Sequence, residues 1–458
     1  MSESRPRRDA ATHAAPSGPV HLPRDPHPGG RPDGGVRSGG RVRRRALTVA
    51  LAVVVVAAVG LGWRAWMTRA QGEPQAVEFT DAVLGPRLTG ATVLALGEAT
   101  HGNAEFQTLR TELARKLPQF RTIVLEEDVG SVALVDRFVQ GGPGTAREAA
   151  MAFGFRLSKT EQVADFLQFL RDRNAALPTT ERTHLVGMDV QRVDANKQIA
   201  LDRLAASDPA RAERLATELA SLTDDHRTAA DYRAVSAGLD ELAAALGAGR
   251  ATGEAAGTDA AGAQADAADR GALDTARALQ QGRDLQQHET DYLPTRAQLM
   301  FANLERTVAR STADGAPHVL LFAHDGHVDK VSAAYRHADL GALAAQRWGD
   351  SYRVIGTDFV RTRFLAADGA GQRREFVIDH PTPLRGMFAG TRQGYLEFAT
   401  AGPANADLLH RTVPMGSAGD SFTAWQAWLP PLVTVRTVPA DGYDALVLVS
   451  DATPVTPL

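Results

Sequence analysis

The sequence predicts an α/β domain with a mostly parallel sheet flanked by helices, and three observations carry that prediction. Apolar runs of strand length recur along the chain, separated by segments with helical spacing. The runs are continuous rather than alternating, as expected of strands buried on both faces. Four of them end in carboxylates or imidazoles, which parallel strands would bring to one edge of the sheet.

The runs are residues 92–96, 121–128, 184–191, 318–327, 352–357 and 445–450. The first is the best defined. It breaks at Gly97 and is followed by Glu98-Ala99-Thr100-His101-Gly102. From Asn103 the apolar positions Phe106, Leu109, Leu113 and Leu117 repeat at helical spacing, so the stretch reads as strand, tight turn, helix. Further helices are expected over about 161–174, 192–206, 291–313 and 331–346. A helical insertion spans about 192–300, and within it 246–271 is Ala-, Gly-, Asp- and Thr-rich and reads as a low-complexity loop.

The amino-terminal region has a different character. Residues 1–45 are rich in Pro, Gly, Arg and Ser with almost no large apolar side chains, so they cannot offset their ordering entropy and read as a disordered basic tail. Residues 46–63 are apolar or Gly except for Thr48, about the minimum for a bilayer of roughly 30 Å. The arginines at 41 and 43–45 precede this run and Trp63 and Trp66 end it. The expectation is a membrane anchor over 46–67 with the amino terminus cytoplasmic, a tether over 68–78, and a domain over 79–458 outside the cytoplasm.

The 458-residue chain has no cysteine and a net charge of −4. Disulfides, thiolate nucleophiles and cysteine zinc sites are therefore excluded, and nothing points to nucleic acid. No G-x-S-x-G elbow is present. The residues that gather at strand ends are Glu98 and His101, Glu126, Asp189, and His324 with His327. A histidine beside a carboxylate is suited to activating water. The same residue types would also suit a divalent metal such as zinc, giving a metal-dependent hydrolase of an envelope or peptide substrate, although no H-E-x-x-H motif occurs. A non-enzymatic metal- or haem-binding protein is a further alternative. Phe153, Phe155, Tyr395 and Trp425 read as core residues before they read as a substrate wall.

Several stretches resemble the erythromycin esterase family. Gly97–Gly102 with Glu105 and Arg110 is similar to its first signature, and Val124-Leu125-Glu126 to its second strand. Phe169-Leu170-Arg171 with Asn174, Gly187-Met188-Asp189-Val190-Gln191, and Arg296 with Met300 and Asn303 resemble later elements in order. Ala323-His324-Asp325-Gly326-His327 is similar to its Ala-His-Asn-x-His turn, with Asp325 in place of Asn, and Tyr443-Asp444-Ala445 to its closing strand. The resemblance implies hydrolysis of a macrolide lactone or another bulky ester by water, with no acyl-enzyme. It implies His101 as general base, Glu98 and Glu126 as its orienting carboxylates, and His324 and His327 in the same site. Arg110, Asp189 and Arg296 are then the expected substrate-side contacts. The expected partners are a small-molecule ester and, through the anchor, a membrane.

Overall fold

The computed structural model of the protein describes residues 71–252, 260–380 and 382–458, with scattered positions between 54 and 69 and no side-chain detail from 249 to 267. Contacts divide the chain into residues 1–62 and 63–458. The expected basic tail and nearly all of the expected anchor and the start of the tether lie outside the described residues. Among the described residues, no helix is long and apolar enough to cross a membrane.

The strands in chain order are β1 (Val77–Glu78), β2 (Val93–Glu98), β3 (Thr122–Asp128), β4 (His184–Asp189), β5 (Val319–His324), β6 (Tyr352–Ala367), β7 (Arg373–Asp379), β8 (Gln393–Glu397), β9 (Val413–Gly416), β10 (Thr434–Thr437) and β11 (Ala445–Ala452). Among the described residues they form a nine-stranded sheet in the order β1-β8-β11-β6-β2-β5-β3-β4, with β7 paired to β6, and a separate β9–β10 pair. All six strands read from the sequence are neighbours in the central, parallel part. The antiparallel additions β1, β7 and β8 were not legible: they are short or, in β7, mostly unburied. Strand β6 also runs ten residues beyond its expected end, where its burial alternates as it pairs with β7.

The continuous apolar runs have a simple cause. Leu94 and Leu96 of β2 pack into one hydrophobic layer, while Val93 and Ala95 pack into the other. The first layer is closed by α1 (Ala104–Lys116), α2 (Val129–Val139) and α3 (Glu161–Ala175), through residues such as Leu109, Val135 and Leu167. The insertion follows β4 with α4 (Asp194–Ala205), α5 (Pro209–Glu218), α6 (Ser236–Thr252) and α7 (Ala260–Gln287), which share their own core around Leu215, Leu239 and Leu279. The second sheet layer is closed by α8 (Tyr292–Ala313) and, after the short turn α9 (Asp325–Val328), by α10 (Leu340–Trp348).

Two expectations are corrected here. The low-complexity stretch 246–271 is not one loop, because α6 continues to Thr252 and α7 begins at Ala260. Ala is a strong helix former, so a sequence poor in large apolar groups can still be helical when flanked by packed turns. The helix expected over 331–346 is confined to α10. Asp329 ties the preceding segment into a loop by accepting from the Val331 and Ala333 amides at 2.9 and 2.8 Å, and Ser332 has a positive φ of 51°.

Candidate active site

The central strands deliver the site. Strand β2 sends its chain to β3 on one side, while its neighbour β5 sends its chain to β6 on the other. The crevice where connections diverge, at the carboxyl ends of parallel strands, is where such sheets hold ligands. Register places Glu98 directly opposite His324 there. The rings of His101 and His324 are 4.9 Å apart, centroid to centroid. All six expected strand-end groups therefore share one crevice, although only some of them face open space.

His101 is oriented from behind. Its Nδ1 lies 3.2 Å from Glu98 Oε2, and the other Glu98 oxygen accepts from Arg110 Nε at 2.7 Å. Arg110 reaches back from α1 to supply the countercharge. Burial alone would raise the Glu98 pKa, but Arg110 and His101 outweigh it and hold the carboxyl below its usual range. Burial alone would lower the His101 pKa, but the Glu98 hydrogen bond and the Glu126 charge raise it above the ordinary imidazole value. With Nδ1–H given to Glu98, Nε2 carries the lone pair. The His101 side chain keeps 18% of its surface exposed, whereas Glu98 keeps 1%.

Arg296 of α8 holds a second set together. Its guanidinium donates to Asp189 Oδ2 at 2.6 and 3.0 Å and to Glu126 Oε1 at 2.9 Å. His327 Nε2 lies 3.3 Å from the same Glu126 oxygen, and its Nδ1 lies 2.7 Å from Asp339, the cap of α10. Burial works against the cation on His327, but Glu126 and Asp339 push its pKa up to about 9. Burial would raise the Glu126 pKa, but His327 and Arg296 hold it well below the carboxylate range. Its second oxygen accepts from the His324 amide at 2.9 Å, so both oxygens are engaged.

His324 differs from the other two imidazoles. Its Nδ1 accepts from the Gly326 amide at 3.1 Å, which puts the proton on Nε2. That Nε2 is buried and has no hydrogen-bond partner. Burial and the neighbouring His101 lower its pKa to about 3, so it stays a neutral donor.

A narrow cleft opens on this rim and is lined by His101, Glu98, Glu126 and Glu127 among others. Glu127 was not singled out from the sequence. In a regular strand, adjacent residues face opposite sides. Here the pairing of β3 with β4 slips between Leu125 and Asp128, so Glu126 and Glu127 share one position opposite Met188. This β-bulge sets both residues on the lining of the same cleft. Gly187 is opposite the bulge because a Cβ there would lie 2.5 Å from the Asp128 carbonyl oxygen.

The family model for erythromycin esterase matches residues 118–452. The chain belongs to the erythromycin esterase family. Three solved structures share the fold. A Bacillus cereus protein matches at 19% identity and TM-score 0.67, covering 86% of this chain and 98% of its own. A succinoglycan biosynthesis protein matches at 15% and 0.67 with the same coverage. A mutant of the erythromycin esterase EreC in its open conformation matches at 15% and 0.55, covering 82% and 97%. The protein is thus an enzyme, a hydrolase of ester bonds, and the non-enzymatic alternative gives way to that assignment.

Within this erythromycin esterase fold, the expected substrate-side residues are internally paired. Asp189 is fully buried and committed to Arg296, while Arg110 and Arg296 direct their donors to internal carboxylates. Asp189 and Arg296 thereby brace the site from within, whereas Arg110 both pairs with Glu98 and lines the cleft. Asp325 places no negative charge beside the histidines. Asp325 turns beneath the crevice to the Thr357 amide at 3.2 Å, and burial keeps its pKa well above the usual range. Phe153 and Tyr395 are core residues, but Phe155 lines the cleft and Trp425 is 60% exposed. A zinc ion does not fit the donors. His327 is engaged at both nitrogens, His101 and His324 at one each, and both Glu126 oxygens face cations or an amide. Two free nitrogens and the bare Oε1 of Glu127 remain, but among the described residues no three such side chains are grouped to hold a metal, whereas catalytic zinc is held by three protein ligands.

Proposed function

We propose that this enzyme hydrolyses a bulky ester, with a macrolide lactone as the leading candidate, through water activated by His101. One observation carries the reading: Glu98 and Arg110 fix Nδ1 of His101 while its Nε2 faces the cleft unengaged. In this reading Nε2 removes a proton from water as the water oxygen attacks the ester carbonyl. The Nε2–H of His324, beside His101 and without a partner, is placed to donate to the oxyanion that develops. Glu126, His327, Asp189 and Arg296 form the charged support that holds this edge rigid.

The breadth of the substrate is supported by the rim. Ala418 bonds to the Ala99 carbonyl at 2.9 Å, so the segment after β9 passes beside the His101 turn. It continues into Trp428, Leu429 and Leu432, which are 85%, 48% and 45% exposed. Apolar surface of this kind suits the body of a large ester whose carbonyl enters the cleft.

The same proposal places the domain outside the cytoplasm, supported by the arginines that precede the apolar segment at 46–63. The decisive experiment screens purified protein against macrolides and simple esters, with His101→Asn in parallel. Turnover should fall by about 10²–10⁴-fold in the variant. A folded His101→Asn protein with undiminished activity would overturn the reading.

A further inference from the structure

We propose that Glu127 is the general acid of this site, protonating the departing alcohol while His101 serves the water. The inference rests on the hydrolytic reading above and adds the residue that completes the proton balance.

The placement is unusual for a carboxyl group. Glu127 is 2% exposed, yet it lines the same cleft as His101. Its Oε2 accepts from the Asp128 and Phe155 amides, each at 3.3 Å. Its Oε1 is shut off from solvent and makes no regular hydrogen bond among the described residues, with the Ser158 hydroxyl its nearby polar neighbour. A carboxylate oxygen left bare in a buried position is costly, whereas a carboxylic acid needs only an acceptor for its O–H. That acceptor can be the substrate. The bulge in β3 is what makes this possible, because a regular strand would send Glu127 to the opposite face from Glu126.

The charged groups around it divide the labour. Glu126, on the same bulge, faces Arg296 and His327 and is an anion. Glu98 is an anion paired with Arg110 and His101. Asp128 lies behind Glu127 and caps α2 through the Gly130 and Ser131 amides. Among the described residues no cation is bonded to Glu127. Burial, reinforced by Asp128 and opposed by Ser158 and the two amides, pushes its pKa up to about 8. Two adjacent carboxyls are thereby held in opposite protonation states, the arrangement that separates an acid from a base or anion.

The step balances without another reactant. Water gives its proton to His101 Nε2 as its oxygen bonds to the ester carbon. The carbon–alkoxide bond then breaks, and the alkoxide takes the Glu127 proton and leaves as an alcohol. The carboxylate of Glu127 is reprotonated through solvent by the proton held on His101, so one water is consumed for each acid and alcohol formed.

Leaving-group dependence tests the assignment. An aliphatic alkoxide needs a proton as it departs, but a nitrophenolate does not. Full-length enzyme, Glu127→Gln and His101→Asn are compared on an aliphatic and a nitrophenyl ester of the same acid. Glu127→Gln should lower kcat on the aliphatic ester by about 10²-fold or more and leave the aryl ester within about threefold. The alkaline limb of the wild-type kcat profile, falling near pH 8, should appear with the aliphatic ester and be missing with the aryl one. Equal losses on both esters, or the same alkaline limb on both, overturn the role of Glu127 while leaving the His101 reading intact. Undiminished His101→Asn activity on both overturns the underlying reading instead, as does wild-type enzyme that turns over neither. If Glu127→Gln does not fold, the wild-type profiles on the two esters decide the matter alone.

Discussion

Asp325 shows how much a single side chain depends on what lies above and below it. It sits between two site histidines in sequence, but its carboxyl is turned away to Thr357, and Gly97 leaves it room, since a Cβ there would lie 1.8 Å from Oδ1. Burial keeps it protonated. A neutral amide of the same shape should therefore replace it well. Because the folded pKa is raised, the folded state is penalised progressively as pH climbs above the unfolded value, and Asp325→Asn removes that penalty. The variant should melt higher than wild type at pH 8, show little difference at pH 4, and keep its esterase activity. A lower melting temperature at pH 8 would show that the charged form is the one the fold uses.

At the scale of elements, the proposed site depends on strands that stop in the right way. Strand β2 ends beside β5 in register, which sets Glu98 against His324. Strand β3 ends in a bulge, which admits two carboxyls where one is ordinary. Gly187→Ala tests the second device. Its Cβ would press on the Asp128 and Glu127 carbonyl oxygens at 2.5 and 2.8 Å, both backbone atoms that cannot turn aside. The cost should be about 1–3 kcal/mol in unfolding free energy. A displacement of the carboxyls by even 1 Å should lower kcat by about 10²-fold. Chemical denaturation and steady-state kinetics measure the two effects, and a variant with wild-type values for both would show that the bulge is not constrained there. The loop from Asp329 to Asp339 is a comparable device. It holds Tyr335 stacked 5.6 Å from His327 and ends in the carboxylate that fixes that histidine.

For the whole molecule, the question is where the hydrolytic domain works. The described residues form two hydrophobic layers on the sheet, and the helical insertion carries a core of its own. The apolar segment at 46–63 is separate from all of these in sequence. If it anchors the domain on the outer side, full-length protein should remain in the membrane fraction after carbonate washing. External protease should then degrade the domain in spheroplasts with intact membranes. Release into the wash, or complete protection from protease, would contradict this placement.

Sequence alone determined the six central strands, the helices α1, α3, α4 and α8, and which ionisable groups stand at the carboxyl-end edge of the sheet. These were legible because burial on both faces of a parallel strand demands uninterrupted apolar residues, and because helical spacing is local. The family likeness of Glu98, His101, Glu126, His324 and His327 was legible for the same reason: each stands at a fixed offset from a strand end. What only the tertiary structure decided was which of these groups is free. Arg296 meets Asp189, Glu126 and His327 across 107, 170 and 31 positions of sequence, and no local pattern reveals such a meeting. The bulge at Glu127 and the tautomer of His324 were likewise invisible, because each depends on a backbone partner and not on residue type.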